Sequence, residues 1–100
     1  EAGDRVVAGA DLYGGTHRLF KRVEERFGLK FDFIDTTDSS AVDNLPSDTR
    51  LLYLETPSNP LLRLADIKRA VAAAKKVGAE VAVDNTFATS ALQQPLTMGA

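Results

Sequence analysis

The chain has no cysteine, no tryptophan, one methionine and one histidine in 100 residues. Without thiols it can form neither a disulfide nor a thiolate metal site, and His17 alone cannot assemble a metal centre, so no metal is expected. A reducing compartment such as the cytoplasm is compatible with this. Excess charge of one sign is also missing. Twelve Lys and Arg against fourteen Asp and Glu leave a formal net charge of −2, with no basic field for nucleic acid or an anionic membrane. No apolar run nears the roughly 18 residues that a membrane-spanning helix needs. The start, Glu1-Ala2-Gly3-Asp4, has neither the basic nor the apolar region of a signal peptide. A soluble cytoplasmic protein without nucleic-acid or membrane partners is the expectation. The first residue is not Met, and the chain stops at Met98-Gly99-Ala100 just after an expected helical turn, so a piece of something longer is expected.

What is present is enough for a core. Hydrophobic residues make up 44% of the chain, and a domain of this size buries roughly two-thirds of the surface it exposes when unfolded. Four apolar runs read as strands: Arg5 to Ala8, Phe31 to Ile34, Leu51 to Leu54, and Val81 to Asp84. The second alternates Phe31 and Phe33 with Asp32, which suits a half-covered edge, whereas the unbroken Leu51-Leu52-Tyr53-Leu54 suits a strand covered on both faces. Between the first two strands, Leu19, Phe20, Val23 and Phe27 recur at helical spacing, with Thr16 as N-cap and Gly28 as the stop. Asp38, Ser39 or Ser40 can cap one short turn through Val42 and Leu45. Asp66 then caps a longer helix whose Ile67, Ala70, Val71, Ala74 and Val77 face one way, ending at Gly78.

Strands alternating with helices predict right-handed crossovers and a parallel sheet. If the chain winds outward and then reverses, the strand order is 2-1-3-4, with a switch point between the first and third strands where α/β sheets bind ligands. Three loops reach that edge. In Asp11-Leu12-Tyr13-Gly14-Gly15-Thr16 the glycines allow close backbone approach and Tyr13 can lay its ring over a flat ligand, or the pair is simply a tight turn. It matches neither the Rossmann fingerprint nor the P-loop. In Glu55-Thr56-Pro57-Ser58-Asn59-Pro60 the two prolines either end a strand or aim Asn59. Asp84 either holds its own turn or meets a ligand together with Thr86, two residues on, the two sharing one face in extended chain. The five lysines, Lys21, Lys30, Lys68, Lys75 and Lys76, fall outside this crevice.

Together the stretches Gly3-Asp4-Arg5-Val6-Val7, Asp11 to Phe20, Leu54 to Pro60 and Val83-Asp84-Asn85-Thr86-Phe87-Ala88-Thr89 resemble the cystathionine γ-synthase, cystathionine lyase and methionine γ-lyase family, the pyridoxal-phosphate (PLP) enzymes of cysteine and methionine metabolism. The resemblance runs nearly end to end. It implies that residues 1–100 belong to the large PLP-binding domain of a fold-type I PLP-dependent transferase, a three-layer α/β structure with a mainly parallel sheet. It further implies that Asp84 pairs with the pyridinium nitrogen, that Tyr13 stacks on the ring and Thr86 packs near its other face, and that Asn59 hydrogen-bonds near the phenolic oxygen and the substrate carboxylate. Tyr13 and Asp84 are then catalytic, and Tyr13, Asn59, Asp84 and Thr86 bind the cofactor. At least one of Thr56-Pro57 and Asn59-Pro60 is expected to be cis.

The implied reaction is β- or γ-elimination, or γ-replacement, on cystathionine, homocysteine, methionine or an activated homoserine ester, in a homodimer or homotetramer. The family's Pro and aromatic after Phe-Ala-Thr are replaced here by Ser90-Ala91. Its Schiff-base lysine, Ser-Gly phosphate loop and carboxylate-binding arginine belong to segments that this chain does not contain. Two alternatives stand beside this reading: a flavodoxin-like or receiver-like regulatory module with the same winding, and a non-catalytic piece that packs in a subunit interface. A receiver needs acidic residues directly after its first strand, where Gly9-Ala10 stand instead.

Overall fold

A computed structural model describes residues 1–22 and 24–100. Its strands are β1 (Arg5–Gly9), β2 (Lys30–Ile34), β3 (Thr49–Glu55) and β4 (Glu80–Asp84), paired in parallel in the order β2-β1-β3-β4. All four expected strands and their order are found, three of them one residue longer than the expected run and β3 three residues longer. The helices are α1 (Gly14–Arg22), α2 (Ser39–Asp43), α3 (Ile67–Val77) and α4 (Thr89–Leu92), with 3-10 turns at Glu24–Phe27 and Pro95–Met98.

Strand alternation sends successive side chains to opposite faces. On one face Val7, Leu52 and Leu54 are fully buried and pack with Val42 and Leu45 near α2 and with Ala70, Ala73 and Ala74 of α3. The register sets Val7 beside Leu52 and Leu52 beside Val81, so this row is continuous across three strands. Both flanking helices start on a side-chain cap. Asp38 accepts from the Ser40 N–H and Asp66 from the Arg69 N–H, while Gly78 at φ 74° closes α3. On the other face Phe20 of α1 stacks on Phe31 and meets Tyr53 edge-on, and His17 lies against Phe33. The result is three layers. No described helix is long and apolar enough to cross a membrane.

Three expectations are corrected. α1 begins at Gly14, so Thr16 lies within its first turn and is not its cap; the Tyr13 carbonyl accepts the His17 N–H instead. The helical run is not one helix to Gly28, because a 3-10 turn fills Glu24–Phe27, where Phe27 is exposed instead of packed; Val23 lies outside the described residues. Finally, β3 is sealed on one face only: Leu52 and Leu54 are buried, but Leu51 and Tyr53 are half-buried under the looser α1 layer.

Candidate functional site

At the carboxyl edge of the sheet, where the winding reverses between β1 and β3, the three loops enclose a cavity of about 250 Å³. Tyr13, Asn59, Asp84 and Thr86, all four residues singled out from the sequence, line it. Glu55, Pro57 and Phe87 complete the wall, and no lysine is part of it.

Asp84 is there because it ends β4, in register with Glu55 at the end of β3. Its Oδ1 accepts both the main-chain N–H of Thr86, at 3.0 Å, and the Thr86 hydroxyl, at 2.5 Å. Asp84 therefore does hold its own turn, and Thr86 reaches the cavity by that turn, not by the pleat of an extended strand. Oδ2 accepts no hydrogen bond among the described residues, which leaves it for a ligand. Nearby, burial and then the Asp84 carboxylate push the half-buried Tyr53 phenol up, so it stays protonated across the neutral range.

Tyr13 sits between β1 and α1 with its ring against Gly15. A Cβ built on Gly15 would lie 2.6 Å from Tyr13 Cε1, whereas one on Gly14 would meet nothing. Of the two glycines, only Gly15 lies against the ring, and a side chain there would push Tyr13 aside. The ring's far side is open, the residue being 54% exposed.

Asn59 follows a loop in which both Thr56-Pro57 and Asn59-Pro60 are cis. The loop is tied down by its small polar residues. The buried Ser58 hydroxyl donates to Asp11 at 2.6 Å and accepts the Arg63 N–H, and Thr56 Oγ1 accepts the Ala65 N–H. The Asn59 carboxamide makes no hydrogen bond within the described chain and borders the cavity.

The sequence places Glu55 in a loop at this edge without its bracing role, and it does not single out Gln93 at all. Gln93 Nε2 donates to the Thr56 carbonyl at 2.9 Å and to Asn85 Oδ1 at 2.7 Å, while Asn85 donates back to the Gln93 carbonyl, so one amide braces the second loop against the third. Nothing in the local sequence signals that pairing. Glu55 is buried, accepting the Tyr13 N–H on Oε2 at 2.6 Å and the Asn59 N–H on Oε1 at 3.1 Å. Its signal was present: it is an acidic residue at the end of an apolar strand, the same pattern that drew attention to Asp84.

The donor set fits one flat cationic ring. An exposed aromatic face, a carboxylate oxygen without a partner and an unengaged carboxamide surround a cavity below the roughly 300–1,000 Å³ of whole small-molecule pockets, which is the size of one wall of such a site. A family model described as Cys/Met metabolism PLP-dependent enzyme matches residues 1–100. The chain is 52% identical over its whole length to a "Probable cystathionine gamma-synthase" of Herpetosiphon aurantiacus, covering 32% of that protein. It is 44% identical over 99% of its length to a cystathionine gamma-lyase of Bacillus subtilis, covering 26% of it. The crystal structure of a cystathionine gamma-lyase from Lactobacillus plantarum complexed with L-serine superposes on the entire chain with a TM-score of 0.95 at 42% identity, again over 26% of that chain. The chain thus spans between a quarter and a third of these relatives' length.

Proposed function

The chain belongs to the Cys/Met metabolism PLP-dependent enzymes, and from that premise we propose that residues 1–100 form part of the PLP-binding large domain of a trans-sulfuration enzyme. The flavodoxin-like or receiver-like alternative falls with that membership. The full protein would act on cystathionine, homocysteine, methionine or an activated homoserine ester by β- or γ-elimination or γ-replacement. Self-association as a homodimer or homotetramer in the cytoplasm, without nucleic-acid or membrane partners, completes the proposal.

The observation that carries it is the convergence of Tyr13, Asn59, Asp84 and Thr86 on one cavity. Bound there, PLP would supply the electron sink for bonds broken at the substrate α-carbon. Asp84 Oδ2 would hold a proton on the pyridine nitrogen, with Oδ1 kept in place by Thr86. Tyr13 would cover one ring face from its seat on Gly15, Thr86 would border the other, and Asn59 would donate to an oxygen of the cofactor or substrate.

In the full-length protein, Asp84→Ala should retain PLP yet lower turnover by orders of magnitude, because the sink loses its charge partner. Near-normal turnover would remove Asp84 from the role. The 100 residues alone should gain no stoichiometric, borohydride-trappable PLP adduct, since no lysine lines the cavity. Labelling of one specific lysine would move the site elsewhere.

A further inference from the structure

We propose that Glu55 is a positioning residue, whose single carboxylate fixes the distance between the ring-bearing loop at Tyr13 and the amide-bearing loop at Asn59. The inference rests on the PLP reading and adds to it a residue that need not touch the cofactor's reacting atoms.

Three observations converge on Glu55. It is 9% exposed, and its two oxygens go to two different loops, one to the main-chain N–H of Tyr13 and one to that of Asn59. Charge-assisted bonds of this kind are roughly twice as strong as neutral ones. It is also the last residue of β3, in register with Asp84, so the support for both loops stands beside the candidate pyridinium partner at the end of a hydrogen-bonded strand. Third, the Tyr13 N–H lies immediately before α1, and the Tyr13 carbonyl accepts the first helical N–H, from His17. A carboxylate there is favoured by the positive end of the helix, so the group that spaces the loops also holds the start of α1.

Chemistry dictates that only glutamate does this. Gln offers one acceptor oxygen and turns its NH₂ toward the other N–H, satisfying one loop and repelling the other. Asp retains the charge but is one methylene shorter and cannot span both donors. A residue acting only as a structural brick would change stability alone. A spacing residue changes cofactor affinity through Tyr13 and Asn59.

The test uses the full-length protein, stripped of PLP and titrated with it. Wild type must take up PLP; if it does not, the PLP reading itself fails, whatever Glu55 does. Given uptake, Glu55→Gln and Glu55→Asp should each weaken PLP binding about tenfold, the scale of one charge-assisted hydrogen bond. In a Tyr13→Ala/Asn59→Ala background, Glu55→Gln should add less than about twofold, because its effect passes through those two residues. Wild-type affinity in Glu55→Gln, or the full loss persisting in the double background, overturns the proposal. Should neither Glu55 variant fold, amide hydrogen exchange in the wild type decides. The Tyr13 and Asn59 N–H groups should be protected to a similar degree, and rapid exchange at either one refutes a shared carboxylate.

Discussion

The two faces of the sheet carry helices of equal amphipathic character, yet they bury them to opposite degrees. In α3 five of eleven residues are buried, whereas in α1 none is. The difference lies in side-chain size. α3 meets the sheet with Ala70, Ala73 and Ala74, which let its backbone settle onto Leu52 and Leu54. α1 meets it through the rings of Phe20 and His17, which lie against Phe31 and Phe33, and its Leu19 is 46% exposed. Periodicity tells which side of a helix is apolar; the bulk on that side sets how near the helix comes.

The comparison can be broken by urea unfolding of the chain. Leu54→Ala on the tight face should cost about 2–5 kcal/mol, a fully buried side chain replaced by a cavity. Phe20→Ala on the loose face should cost only about 1–2 kcal/mol, the worth of two aromatic contacts and half a burial. Equal losses would show that the α1 layer is as well packed as the other. Asp66→Ala, which removes the α3 cap, is expected to cost about 1 kcal/mol.

Acid sharpens the contrast at lower amplitude. On the tight face Asp43 is held below the usual carboxylate range by its hydrogen bond from Arg69, and Asp38 by its bonds from Ser40. A carboxylate whose folded pKa is depressed stabilises fully above its unfolded value and loses that contribution as pH falls through the folded one. Stability should therefore decline below about pH 4, and Asp43→Asn should flatten part of that decline; an unchanged slope would discount the pair. The smallest effect belongs to Leu19→Ser, within about 0.5 kcal/mol. A larger loss would mean that Leu19 is covered in solution.

The tight face is also the legible one. Asp66, the apolar spacing from Ile67 to Val77 and Gly78 are local signals, and they mark α3 to the residue. The ends of α1 differ from the sequence expectation because their determinants are not local. The residue before the helix's first turn, Tyr13, gives its N–H to the Glu55 carboxylate, 42 residues away in the chain, and Thr16 lies inside that turn instead of capping it. The site divides in the same manner. Tyr13, Asn59, Asp84 and Thr86 announce themselves through loop chemistry and a family resemblance, and the topology brings them together. Glu55 carries the same mark as Asp84, an acidic residue closing an apolar strand, but its partners are the main-chain N–H groups of Tyr13 and Asn59, which residue types do not reveal; the Gln93–Asn85 pairing has no local signal at all.

The contact between Tyr13 and the bare α-carbon of Gly15 bears on the entropy of recognition. A phenol ring free to swing loses rotamer freedom when a ligand arrives, and that loss opposes binding. Here the Gly15 backbone lies against one side of the ring and limits the directions in which it can swing, so part of that freedom is lost before a flat ligand lands on the open side. Gly15→Ala would lift the ring from its rest. The expected signature is a less favourable binding entropy, read by calorimetry, with the binding enthalpy little changed.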